Sequence, residues 1–165
     1  MKGLRWNAVK YGYWTCLLQV KRMEEIAITS FAFDDSVVPH VNCVTPIEAI
    51  SQAKKLPFKG RGTNYPKAVD QIIKFIEERD PKYKDYLSCI LFLSDGQGGF
   101  PDKGIKKLID MKAGGSKIIF YTIAVMCDAS GDLDMSNMTK EIDGDHYKVT
   151  DAAACKAVFL KILGV

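Results

Sequence analysis

Cys89-Ile90-Leu91-Phe92-Leu93 is an unbroken apolar run that stops abruptly at Ser94-Asp95-Gly96. It is too short for a buried helix and glycines follow it at once. It therefore reads as a β-strand covered on both faces, with Ser88–Ser94 inside a sheet. A carboxylate at the C-terminal end of such a strand, followed by the turn Gly96-Gln97-Gly98-Gly99, lies where open α/β sheets place their ligands. Asp95 is therefore the first candidate functional residue. A second reading stands beside it, in which Asp95 only orders the turn.

The remaining segments alternate around this strand. Trp6, Val9, Tyr13, Leu17 and Val20, widened by Trp14 and Leu18, give residues 4–22 a helical apolar stripe. Ile26–Phe33 reads as a strand, Asp34-Asp35-Ser36 as a turn and Val37–Val41 as a short strand, with Pro39 arguing for a sheet edge. Thr45-Pro46-Ile47-Glu48 is a capping box that starts a short helix to about Lys55. After the loop 57–64, a helix capped by Thr63 or Asn64 runs to about Arg79, where Asp80-Pro81 ends it. Asp102 caps the next helix and Gly114-Gly115 closes it. Lys117–Val125 is a strand, Cys127–Asp134 a loop, and a short helix carries Leu133 and Met138. A last strand at His146–Val149 precedes a helix capped by Thr150 or Asp151 that buries Cys155, Val158, Phe159 and Ile162. This alternation specifies an α/β sandwich with a largely parallel sheet.

At 165 residues the chain suits one domain, 1–165. A net charge of +3 with scattered Lys and Arg gives no basis for nucleic-acid binding. No apolar run is long enough to span a membrane. Five cysteines without metal-type spacing favour reduced thiols used as small core residues, and hence a cytoplasmic setting. The opening residues, Met1-Lys2-Gly3-Leu4-Arg5, lack the apolar region of a signal peptide.

Several motifs fail on inspection. Gly96-Gln97-Gly98-Gly99 is no dinucleotide fingerprint, because Phe100-Pro101 intervenes before the helix. Asp128, Ser130, Asp132 and Asp134 imitate a calcium loop, but Leu133 stands at its glycine position and Thr139 at its bidentate glutamate position. His40 and His146 are far apart in sequence, and no Cys or Ser is placed for nucleophilic catalysis. Each His is expected to be exposed or satisfied.

What remains is Gly60-Arg61-Gly62-Thr63-Asn64 together with Leu93-Ser94-Asp95-Gly96, both expected on one rim of the sheet. A Thr hydroxyl and a carboxylate are oxygen ligands, suited to Mg²⁺, Mn²⁺ or Ca²⁺ rather than zinc. Here the chain resembles the von Willebrand factor type A domain family. Thr63 in Gly62-Thr63-Asn64 matches the second loop of that family's metal-ion-dependent adhesion site, and Asp95 matches the third. Ile26–Phe33 with Asp34-Asp35, then Ile123-Ala124-Val125, Leu133 and Tyr147–Asp151, fit the family's other segments. The resemblance implies a three-layer Rossmann-like sandwich whose mainly parallel sheet is flanked by helices. It also implies a non-catalytic, protein-binding module. In such a module Thr63 and Asp95 hold a divalent ion that accepts an acidic side chain from a protein partner. The rim around them comprises residues 34–36, 60–64, 95–101 and 127–134, with Asp34, Asp35, Gly62, Asn64, Gly96, Gln97 and Asp128 as contact candidates.

The departure from the family is the first loop. No Asp-x-Ser-x-Ser is present, nor the central strand that carries it; Met1–Arg5 resembles the residues that follow that loop. A fragment of a longer chain and a degenerate variant both account for this. The expectation is weak or absent Mg²⁺ binding and a gap beside Ser88–Leu93, unless Ile26–Phe33 closes it by direct pairing. Two other readings stay open: a doubly wound enzyme using Asp95, and a metal-independent interaction domain.

Overall fold

A computed structural model describes residues 3–23, 25–56 and 62–164. The elements are α1 (Leu4–Val20), β1 (Ile28–Phe33), β2 (Val37–Val44), α2 (Pro46–Gln52), α3 (Tyr65–Glu77), β3 (Ser88–Ser94), α4 (Asp102–Ala113), β4 (Ile118–Val125), α5 (Ala129–Glu141), β5 (Asp145–Val149) and α6 (Ala152–Leu163). Local chemistry sets most boundaries. The capping box at Thr45 is formed in full, with Pro46 in the first turn. Asn64, rather than Thr63, caps α3 by accepting from the Lys67 N–H, and Asp151 caps α6 by accepting from the Ala154 N–H.

Strands β3, β4 and β5 form a parallel sheet in that order, with Ser88 beside Ile118 and Tyr121 beside Asp145. Their side chains alternate between two cores, as the two-residue period of a strand requires. Phe92 and Phe120 join Tyr65, Val69, Leu108 and Met135 in the core under α3, α4 and α5. Ile123 and Val125, with Leu91 and Leu93 packed against them, join Val9, Cys155 and Phe159 under α1 and α6. The second layer depends on Gly12, because a Cβ there would lie 2.5 Å from Phe159 Cε2 and 2.8 Å from Cys155 Sγ. The three layers are those of an α/β sandwich.

β1 and β2 form a separate antiparallel hairpin. Its turn is ordered by Asp34, whose Oδ1 accepts from the Ser36 N–H and the Ser36 hydroxyl, each at 2.9 Å. Pro39 stands opposite Phe31 in β2, an edge strand, where proline is tolerated. The hairpin rests on α1 and α2 through Leu17, Val41, Ala49 and Ala53, and Ser30 hydrogen-bonds the Tyr13 hydroxyl at 3.0 Å.

β1 and β3 run in the same direction. Helix α3 crosses both: Tyr65 at its start meets Phe33 and Phe92, with ring centroids 6.3 and 5.2 Å away. Phe75, further along, meets Phe31 at 5.7 Å, and Arg79 Nη1 just past its end donates to Ser88 Oγ at 3.0 Å. The C-terminal ends of β1 and β3 therefore share one rim.

Several expectations need correction. Ser88–Ser94 is an edge strand of its sheet rather than an interior one; Cys89 is exposed, and only Phe92 and Ser94 of β3 are buried. Its local composition is that of a covered strand, but β1 pairs only with β2, so the gap beside β3 does not close. Cys127–Asp134 is mostly helix, because the Asp128 carboxylate accepts from the Gly131 N–H and starts α5 at Ala129. Leu18, which widens the apolar stripe of the first helix, is exposed, and so is Leu133. Asp102 opens α4 as its first residue and does not cap it, and β2 continues to Val44. His40 is neither exposed nor satisfied: its Nε2 is buried without a partner among the described residues, and burial lowers its pKa.

Candidate interaction rim

The site is built where β3 ends. Asp95 follows Ser94 directly, and its Oδ2 accepts from Arg5 Nη1 at 3.3 Å. The two side chains differ in exposure, 11% for Asp95 against 47% for Arg5, so the cation is the outward partner. Arg5 lies in the first turn of α1, ninety residues away in the chain.

Thr63 reaches the same place from the segment before α3: a Cβ added at Gly96 would stand 3.9 Å from its Oγ1. Tyr65 fastens the two loops. Its backbone N–H donates to Gly98 O at 2.9 Å and its hydroxyl to Gly96 O. A side chain at Gly98 would strike the Tyr65 ring at 2.1 Å, so this turn tolerates only glycine. Burial pushes the Tyr65 phenol well above its ordinary range, which keeps it a neutral donor. Gly62, at φ 137°, has a backbone conformation that favours glycine.

The other candidates divide between the rim and structural duties. Asn64 caps α3, and Asp128 caps α5 while remaining exposed. Asp34 is buried in the hairpin turn. The backbone of Asp35 accepts from Lys67 Nζ at 2.7 Å, which ties that turn to α3. Gln97 is exposed at the tip of the loop. Gly96 is held from its other side by α5, where a Cβ on Gly131 would stand 2.8 Å from the Gly96 carbonyl carbon. Cys127 donates its thiol to Ser94 O at 3.2 Å; burial, with the charge of Asp95, pushes that thiol up to about 11. Gly60 and Arg61 lie outside the described residues.

A cluster that periodicity did not disclose lies behind α5. The Thr122 hydroxyl and His146 Nδ1 are 2.8 Å apart, and His146 Nε2 lies 2.9 Å from Asp132 Oδ1. Lys148 Nζ donates to Asp132 Oδ2 at 2.9 Å. The Lys148 hydrogen bond, assisted by His146, holds the Asp132 carboxyl below its usual range. Thr122 is fully buried, so this network joins α5 to β4 and β5 and offers no exposed nucleophile.

The rim does not fit a resident metal ion. Among the described residues no three His, Cys, Asp or Glu side chains gather to hold one. Thr63 and Asp95 offer one hydroxyl and one carboxylate, and the guanidinium of Arg5 takes up that carboxylate. A fixed positive charge so close repels a dication and occupies an acceptor oxygen it needs.

Helices on both faces of a parallel sheet, with the loops of Thr63 and Asp95 meeting at one rim, define a von Willebrand factor A-like fold. Solved structures bear this out. A von Willebrand factor type A protein from Catenulispora acidiphila superposes with a TM-score of 0.71 at 11% identity, covering 94% of this chain and 37% of its own. BatB from Bacteroides thetaiotaomicron gives 0.70 at 12% identity, covering 96% of this chain and 86% of its own. An aerotolerance-related membrane protein from Bacteroides fragilis gives 0.65 at 16%, covering 96% and 89%. At such identities the likeness is one of fold, and the chain spans little more than a third of the Catenulispora protein. No protein-family model matches the sequence, and no curated protein matches it. No helix among the described residues is long and apolar enough to cross a membrane.

Proposed function

We propose that this chain is a protein-interaction module whose rim around Asp95 takes an acidic side chain from its partner against the Arg5 guanidinium. The von Willebrand factor A-like fold supports protein interaction in general. The observation that carries the finer reading is the position of Arg5: half exposed, at the end of β3, held by the less accessible Asp95. It presents fixed positive charge where the family resemblance implies a metal ion would sit. Guanidinium also matches a carboxylate geometrically, with two parallel N–H donors. Thr63 adds a hydroxyl beside the pair, and Asp35, Gly62, Gln97 and Asp128 form an exposed surround. Mg²⁺ binding at this rim is weaker than millimolar, the module is not an enzyme, and its setting is cytoplasmic.

The test is binding of short peptides differing only in one Asp, Asn or Ala, measured with Mg²⁺ and with EDTA. Selective capture of the Asp peptide, reduced about tenfold or more by Arg5→Gln, is expected, since a charged hydrogen-bonded pair contributes ~1.5–3 kcal/mol. EDTA should change nothing. Equal binding of the three peptides would remove this reading. Calorimetric detection of a micromolar Mg²⁺ site would restore the metal-dependent alternative. Turnover of phosphatase or nuclease substrates lost in Asp95→Asn would establish an enzyme instead.

A further inference from the structure

The two helical layers of the sandwich differ in charge. α3, α4 and α5 carry both signs, with Asp70, Asp110 and Asp134 among their carboxylates. α1 and the two residues after it hold Arg5, Lys10, Lys21 and Arg22 and no carboxylate. α6, which lies against α1 where Gly12 meets Cys155 and Phe159, holds Lys156 and Lys161 and no carboxylate either. Glu24, Glu25 and Asp151 stand beyond the helix ends in sequence. Asp95 takes up Arg5. Among the described residues none of the other five cations forms an ion pair.

The same layer is apolar outward as well as inward. Ala8, Val9, Leu17 and Val20 of α1 are buried. Leu4, Tyr11 and Leu18 recur at seven-residue spacing, which puts them on one line of the helix. They are 80%, 49% and 44% exposed. Trp14 and Lys10, both half-buried, and the exposed Lys21 flank that line on one side. A contiguous exposed row of large apolar side chains marks a surface that something covers.

We propose that the outer face of α1, extended by α6, docks on an anionic lipid surface, with α1 lying in the plane of the headgroups. Charge complementarity chooses this occupant: cations spread over both helices, with no carboxylate between them, match a field of negative headgroups. The apolar row is that of an interfacial helix. Tyr and Trp pair an apolar body with a polar tip, and a Lys stem lies along apolar surface while its ammonium reaches phosphate. A second copy is disfavoured, because two such faces would set like charges against each other. An acidic polypeptide, from this chain or another, would match the charge. It would also need pockets for its anchor residues, whereas Leu4, Tyr11 and Leu18 project from a convex helix. At 17 residues α1 is about 25 Å long, and it lies on the surface without crossing it. Arg5 stands at one end of α1 and Lys21 at the other, so the Asp95 rim is left at the edge of the contact, open to a protein partner. The inference does not depend on Arg5 binding an acid.

The test is co-sedimentation of the chain with vesicles of phosphatidylcholine, with and without phosphatidylserine, at low and high salt. Quenching of tryptophan by bromine-labelled acyl chains reports depth. Binding to the phosphatidylserine vesicles is expected, falling roughly tenfold or more without that lipid and falling steeply with salt. Lys10→Glu combined with Lys21→Glu should lose at least as much, and Tyr11→Ser with Leu18→Ser should abolish the quenching. Matched reversals on the opposite layer, Lys74→Glu with Lys106→Glu, should change little. Equal loss from both pairs of reversals would mean that net charge alone drives binding, and would overturn the proposal. So would equal binding to phosphatidylcholine alone, no binding to the anionic vesicles at low salt, or capture of a Glu-Leu repeat peptide in place of the vesicles.

Discussion

β3 and β4 have nearly the same kind of sequence and quite different surroundings. Both are continuous apolar runs. β4 has a strand on each side, and six of its eight residues are buried, among them Ile123, Ala124 and Val125, which are fully covered. β3 has a strand on one side only, and its Cys89 is exposed while Leu91 and Leu93 are half-buried. The same helix layers lie above and below the sheet. The difference therefore comes from the lateral neighbour. An apolar run dictates that a segment be sandwiched between layers, and says nothing about which strand completes its edges.

The sharpest way to break this comparison is truncation in the two strands. Ile123→Ala in β4 is expected to cost ~2–5 kcal/mol, since no neighbour can collapse into the void. Leu91→Ala in β3, facing the same core but open toward the gap beside that strand, is expected to cost roughly half as much or less. Urea unfolding of both variants decides it, and equal losses would mean that β3 is as well covered as β4.

Thiol chemistry separates the same regions on a smaller scale. Cys89 on the open strand should react with a neutral thiol reagent in the native state. Burial raises the pKa of all three thiols, so access sets the order: Cys16 and Cys155, buried and pushed up to about 11, are expected to react much more slowly than the exposed Cys89. Mass mapping after timed labelling gives the order; labelling of Cys155 before Cys89 would contradict the open edge.

The smallest effect concerns β5, the other edge of the same sheet. The lowered pKa of Asp132 means that its ion pair contributes fully above the ordinary Asp range, near ~3.9, and is lost as pH falls through the depressed folded value. Stability should therefore drop on acidification by a component that Asp132→Asn removes. Thermal melts between pH 7 and pH 3 measure it. A pH profile identical in the variant would show that Lys148 and His146 hold Asp132 without stabilising the fold.

What could be read from the sequence was local. The Thr45 capping box, the turn at Asp34, the Asp151 cap and the alternation of apolar periods each depend on residues a few positions apart, and each is present. The vWA-like fold followed from their order. Less legible were the features set by distant segments. Arg5 meets Asp95 across ninety residues, and nothing in the periodicity of α1 marks Arg5 as different from another exposed residue. His146 is satisfied, one of the two states the sequence allows it, but its partners Asp132 and Thr122 are not legible there because they reach it only once α5 is laid across the sheet. Even the start of α5 was misjudged for a local reason: Asp128, Ser130 and Asp132 look like loop residues, although Asp128 is an excellent cap.

The close seating of Gly131 on Gly96 has a mechanical side. The first turn of α5 abuts the loop after β3 with no room for a methyl group. Further along, α5 is anchored by Asp132 to His146 and Lys148 of β5. A tug on the Gly96 loop by anything bound there would thus be transmitted through a rigid lever to the far strand. The load would be shared across the whole parallel sheet instead of peeling β3 away first.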